Sequence, residues 1–293
     1  MTAEGTSVFE VRWGAASDPG GQRRENEDAY LATPPVFMVA DGMGGHERGG
    51  VASRTVVAAF AELSGTARLT SQQLYRTVKA AAREVRAAGG GLAGGPGSTL
   101  AGVGLADQDG IPCWLVFNIG DSRVYRLAGG QIEQVSVDHS RVQELVDAGV
   151  IDVAQARSHP SQNVITRAIG AGATTEAVAD LWLLLAVSGD RMLVCSDGLT
   201  RELSDTLVRA TLLTESEPQA AADALVAAAV SAGARDNVTV VVVDAVAVSS
   251  PGAPPGSEPA VTSNAPWSEV DDDTLPGIAM WQFDDAVEEA GHE

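Results

Sequence analysis

Three apolar runs in this chain each end at an aspartate beside a glycine. Val36-Phe37-Met38-Val39-Ala40 leads into Asp41-Gly42, Leu115-Val116-Phe117-Asn118-Ile119 into Gly120-Asp121, and Met192-Leu193-Val194-Cys195-Ser196 into Asp197-Gly198. Short apolar runs closed by a turn signal read as buried strands. A fourth acid is arranged the other way round, with Asp236-Asn237 just before the run Val238-Thr239-Val240-Val241-Val242-Val243. In an antiparallel sheet the end of one strand lies level with the start of its neighbour. All four acids are therefore expected at one edge of one sheet core. At about 4 Å and an effective dielectric near 20, each pair of carboxylates there repels by roughly 4 kcal/mol. Such a cluster needs cations, and oxygen ligands with no His or Cys among them favour magnesium or manganese.

The remaining pattern supplies strands and helices in two rounds. Residues 8–16 read as an opening strand. Residues 51–63 suit a helix, with Val51, Val56, Val57, Phe60 and Leu63 as its core contacts. A second helix is expected from a cap at Ser71 to about Ala88, with Leu74, Val78, Ala81, Ala82 and Val85 inward. The Gly-rich loop 89–97 lacks the Gly-Lys-Ser/Thr that would grip a nucleotide phosphate. Residues 98–106, 112–119, 123–128 and 131–135 read as a strand meander, and 141–170 as a polar, partly helical insert. Strands return at 177–187 and 191–196, helices at 206–213 and 218–232, and a last strand at 238–247. This order suits a sheet sandwich with helices packed outside.

Charge narrows the partners. Asp and Glu number 39 against 19 Lys and Arg, a net charge of −20. Nucleic acid and anionic membrane surfaces both call for a basic patch and are disfavoured. Cys113 and Cys195 lie inside apolar runs and read as small core residues. No signal peptide or bilayer-length apolar run is visible, so a cytoplasmic monomer is the expectation. The composition changes near residue 248, and ten of the acids and none of the bases lie in 248–293. That divides the chain into a catalytic domain, 1–247, and an acidic tail expected to be disordered. The tail also holds Trp267, Leu275, Ile278, Met280, Trp281 and Phe283, so 267–285 is expected to dock on a partner or back on the domain, the alternative being an inert solubilising tail. Thr274, after three aspartates, is a candidate for phosphorylation that retunes this docking.

Eight ordered segments carry a resemblance. They are Arg23-Arg24-Glu25-Asn26-Glu27-Asp28-Ala29, Val39-Ala40-Asp41-Gly42-Met43-Gly44-Gly45-His46, Gly97-Ser98-Thr99, Gly120-Asp121-Ser122-Arg123, Asp138-His139-Ser140, Thr166-Arg167-Ala168-Ile169-Gly170, Cys195-Ser196-Asp197-Gly198-Leu199 and Asp236-Asn237-Val238-Thr239. In order and approximate spacing, over about residues 8–246, they resemble a bacterial member of the protein phosphatase 2C family of metal-dependent Ser/Thr phosphatases. The resemblance implies an α+β fold: a four-layer α-β-β-α sandwich of two antiparallel sheets flanked by helices. It implies phosphorylated proteins as partners and a Ser/Thr protein kinase as the opposing enzyme. A same-fold phosphatase of bacterial stress signalling and a catalytically dead scaffold are the alternatives. The intact Arg-Asn-Glu-Asp and Gly-Asp-Ser-Arg segments and the full set of acids favour the first reading.

The same resemblance assigns roles. Asp41 bridges two Mn2+ or Mg2+ ions, and the Gly42 carbonyl is a further ligand. Asp197 and Asp236 hold the first ion; Glu27 serves the second through water. Asp121, with Asp197, holds a third, weaker ion; its alternative is a turn residue that orders Arg123. Two ions about 3.5–4 Å apart acidify and position a bridging water and neutralise charge on the phosphoryl group. Direct in-line attack by hydroxide, with no phosphoenzyme, is then expected. Arg23, four residues before Glu27, is the phosphate-binding arginine, a fork that lysine cannot match; Asp28 orders Arg23 or the metal waters. Met43 stands where many eukaryotic relatives have a histidine acid. The donor to the leaving alcohol is then His46, a metal-bound water, or no group at all. Residues 138–170 match a mobile flap in which Asn163 takes the place of a metal-touching serine. His139 and His159 are structural or flap residues in this reading.

Overall fold

Residues alternate sides along each strand, and that alternation builds the layers. The computed structural model describes residues 7–44, 47–89, 95–171 and 177–249. Its strands are β1 (Val8–Asp18), β2 (Asp28–Thr33), β3 (Val36–Met43), β4 (Gly97–Ser98), β5 (Leu100–Gln108), β6 (Ile111–Ile119), β7 (Arg123–Ala128), β8 (Gln131–Gln134), β9 (Ile169–Gly170), β10 (Asp180–Leu185), β11 (Arg191–Cys195) and β12 (Val238–Ser249). Its helices are α1 (Glu47–Ala61), α2 (Ser71–Ala88), α3 (Arg141–Asp147), α4 (Val153–Ala156), α5 (Asp197–Glu202), α6 (Asp205–Thr214) and α7 (Pro218–Ser231). One sheet runs β1-β12-β11-β7-β8, the other β10-β6-β5-β3-β4-β9 with β2 also on β3. Every pairing between these strands is antiparallel.

On β3, Val36, Met38 and Ala40 turn outward against Val56 and Phe60 of α1 and Leu74 and Val78 of α2. Phe37 and Val39 turn inward and meet Val194 of β11 and Val241 of β12 across the sandwich. The outer face of that second sheet presents Leu193, Val240 and Val242 to Leu199, Val208 and Leu225 of α5 to α7. The central strands are buried on both faces, which is why they read as continuous apolar runs rather than alternating ones. The layers are thus helix, sheet, sheet, helix, an α+β sandwich as expected.

Local differences have local causes. α2 spans its expected residues, but its cap is Thr70. The Thr70 hydroxyl accepts from the Gln73 N–H, and the Gln73 side chain accepts from the Thr70 N–H. Val51 is exposed, not a core contact. The inward face of α1 is Ala52, Val56, Ala59 and Phe60, and Val51 lies about 100° round the helix from Ala52. β2 and α5 had no expectation of their own. β2 is a half-buried strand on the rim of its sheet, and α5 is a short turn of helix directly after β11.

Candidate metal centre and phosphate-binding edge

Both sheets contribute to the acid cluster, which corrects the expectation of a single sheet edge. Asp28 and Asp41 are direct cross-strand partners on β2 and β3. Asp121 follows β6 of the same sheet. Asp197 follows β11 of the opposite sheet, and Asp236 precedes β12 beside it; Cys195 pairs with Val240, so both acids lie at one end. The sandwich thereby aims carboxylates at one another across the gap between its sheets.

Hydrogen bonds fix the backbone that carries them. The Asp41 N–H donates to Thr99 Oγ1 at 2.9 Å, and its carbonyl accepts from the Thr99 N–H at 2.9 Å. Asn237 Oδ1 accepts from the Glu27 N–H, while Asn237 Nδ2 donates to the carbonyls of Pro19 and Glu25. Ser196 donates its hydroxyl to Asp28 Oδ2 at 2.8 Å. His139 Nδ1 accepts from the Gly120 N–H and its Nε2 lies 3.0 Å from Asp180, which pins the turn before Asp121 and gives His139 a structural role. Gly42 has no room for a side chain: a Cβ there would lie 2.2 Å from the Gly49 carbonyl oxygen and 2.6 Å from that of Glu27. Thr99, Ser196 and Asn237 lie inside the ordered segments of the sequence, but the partners just named are 58 to 218 residues away, so no local signal shows what they hold.

The carboxyls are short of partners. Seven buried side-chain polar atoms among the described residues have no protein hydrogen bond, and four are carboxyl oxygens of Glu27, Asp28, Asp121 and Asp197. Buried polar atoms are ordinarily satisfied, so four orphans in one place point to an absent positive group. Burial pushes Asp197 up to about 8, helped by Asp121 and Asp236 and opposed by Arg201. Burial pushes Asp28 up to about 7 against hydrogen bonds from Thr239 and Ser196. Asp121 rises to about 6, from burial and Asp138. Asp41 is raised well above the usual carboxylate range by burial and by Asp28, Asp197, Asp121 and Asp236. Among the described residues no three Asp, Glu, His or Cys groups close on one point as a ready-made cage. The donor set is an open array of hard oxygens, which fits Mg2+ or Mn2+ ions that keep waters in their shells.

Two guanidiniums stand at the rim. Arg23, about half exposed, lies 3.0 Å from one Asp236 oxygen and 3.1 Å from the other. It is Asp236, not Asp28, that orders it. Arg201, one turn after Asp197 on α5, pairs with Asp197 and with Asp236; its only sequence signal is the four-residue spacing. Asp121 does not order Arg123, whose fork is held by Asp138 at 2.7–3.0 Å. Asn163 is exposed, and His159 Nδ1 accepts from the Ser161 N–H. His46 lies outside the described residues.

Residues 22–232 match the protein phosphatase 2C family profile. The chain belongs to the protein phosphatase 2C family. It is 38% identical over 245 residues to the serine/threonine protein phosphatase PstP of Mycobacterium tuberculosis, covering 80% of this chain and 45% of PstP. This chain thus spans a little under half of that relative's length. The serine/threonine phosphatase stp of Listeria monocytogenes is 32% identical over 241 residues, 78% of this chain and 93% of that protein. The crystal structure of M. tuberculosis PstP superposes with a TM-score of 0.72 at 36% identity, covering 82% of this chain and all of that one. A PstP catalytic domain solved in complex with two manganese ions gives 0.68 at 36% identity, with the same coverage.

Proposed function

We propose that this chain hydrolyses phosphoserine and phosphothreonine in proteins, using two Mn2+ or Mg2+ ions and a third, weaker one. The observation that carries the reading is the cluster of buried, unpartnered carboxyl oxygens contributed by both sheets beside Arg23. Asp41, Asp197 and Asp236, with the Gly42 carbonyl, are the residues that would hold the first two ions, with Glu27 outside them; Asp121 and Asp197 would hold the third. Bound ions of this kind activate water and neutralise charge on a phosphoryl group. Ser196 and Thr239 hold Asp28 against Asp41, and Asn237 holds the Glu27 backbone, so the array is set before substrate arrives. Arg23 has a half-exposed fork that a phosphate dianion can draw from Asp236. No buried nucleophile is called for: Cys195 faces the α-helical layer, its thiol pushed up to about 12 by burial. The opposing enzyme is a Ser/Thr protein kinase, and the catalytic unit is 1–247 acting as a cytoplasmic monomer. Among the described residues no helix is long and apolar enough to cross a membrane.

The test is hydrolysis of a phosphothreonine peptide before and after exhaustive chelation. Activity should fall to background and return with added Mn2+. Full turnover by protein shown by elemental assay to be metal-free would overturn the mechanism.

A further inference from the structure

In this acidic chain, five of the 19 Lys and Arg residues fall between 68 and 86, with Glu84 the one acid among them. On α2 the basic positions 76, 79, 83 and 86 fall, at 100° per residue, within an arc of about 80°. Leu74, Val78, Ala81, Ala82 and Val85 form the buried face on the other side. Arg76 and Arg83 are exposed. None of the described carboxylates pairs with Arg76, Arg83 or Arg86. Arg68, just before the helix, stands over the Phe9 ring at 5.6 Å and keeps an unpartnered Nε.

The two ends of this stripe lie at informative places. Phe9 pairs with Val248, and Val8 with Ser249, so the chain leaves the described fold beside Arg68. The other end abuts the metal centre's flank. Val85 fills the space where a Gly170 side chain would go, Gly170 pairs with Gly97, and Gly97 with Met43 at the end of β3. α2 therefore runs from the exit of the acidic tail to the side of the site. Its 18 residues span about 27 Å. Asp271 lies 22 residues beyond Ser249, and at random-coil dimensions that separation corresponds to a reach of about 25 Å.

We propose that the acidic segment 258–273 of this same chain seats along the basic face of α2. Glu258 and Glu269 meet the Arg68–Arg76 end, and Asp271-Asp272-Asp273 meet Arg83 and Arg86. Charge complementarity and the exit point select this occupant over a separate partner. The segment that follows, with Thr274, Leu275 and Trp281, is then delivered to the β4 side of the site, where a change of charge at Thr274 is felt by the same stripe.

The full-length chain tests this directly. Both natural cysteines, Cys113 and Cys195, are buried, so a nitroxide attached through Gln72→Cys labels the exposed α2 face selectively. At about 0.01 M salt, where the Debye length is about 30 Å, amide resonances of 258–273 should lose at least about half their intensity, and should recover at about 1 M, where it is about 3 Å. Neutralising the stripe with Arg76→Gln, Lys79→Gln and Arg83→Gln together should restore the resonances at low salt. Unbroadened tail amides at low salt refute the proposal, and so does broadening that survives the neutralised stripe. If the triple variant instead weakens turnover of an acidic phosphopeptide while the tail amides are unbroadened throughout, the stripe serves substrate and the tail assignment is wrong.

Discussion

Asp197→Asn should stabilise the metal-free protein, and the gain should grow with pH. Asp197 has an ordinary carboxyl value of 3.8 in the unfolded chain and about 8 when folded. A raised value means that the folded state holds the proton more tightly. Stability is therefore fully present below about pH 4 and drains away as pH rises toward 8. At about 1.4 kcal/mol per tenfold in proton affinity, ionising this group destabilises the fold by about 1–2 kcal/mol at pH 5 and on the order of 5 kcal/mol at pH 8. Asp197 shares its surroundings with the charges of Asp121, Asp236 and Arg201, so one substitution recovers only part of the difference, about half or roughly 2 kcal/mol. For a domain of this size 1 kcal/mol moves Tm by about 2–4 °C. In excess chelator the variant's advantage in Tm over wild type should thus be about 4–8 °C larger at pH 8 than at pH 5. Saturating Mn2+ should reverse the order, because the wild type gains a ligand that the amide replaces poorly. An advantage of equal size at both pH values, measured by calorimetry, would show that repulsion among ionised carboxylates is not what the empty centre stores.

Arg23→Ala should raise KM for a phosphopeptide by about tenfold and change kcat by less than about threefold, because the fork holds ground state and transition state alike; an unchanged KM here with a raised one in Arg24→Ala would mean that the neighbouring arginine does the binding. Far from the site, Arg126 donates to Asp190 at 2.7–3.0 Å, both buried, and Asp190 also accepts from Trp114 Nε1. Arg126→Met should cost about 3–5 kcal/mol in urea unfolding by stranding a buried carboxylate, and adding Asp190→Asn should recover part of it; a single variant as stable as wild type would show that water reaches Asp190.

The sequence by itself determined most of the strands and helices, and the chemistry of the cluster. Strands buried on both faces announce themselves as unbroken apolar runs, and α2 declares its five inward residues through period alone. An aspartate where such a run stops is visible because burial ends there abruptly. β2 stayed hidden because it is half-buried at a rim, and Val51 misled because an apolar residue one step off a helix's inward face obeys the same rough spacing. Only the tertiary structure decided that the acids come from two facing sheets rather than one edge, since sheet membership depends on pairings such as β11 with β12, at least 45 residues apart, and β1 with β12, up to 241 apart. It also decided what holds what. Asp138 rather than Asp121 takes Arg123, Asp236 rather than Asp28 takes Arg23, and Arg201 reaches into the cluster from α5. A charged side chain pairs with whichever opposite charge the packed backbone brings within about 4 Å, and that distance is set by the whole fold, not by the neighbours along the chain.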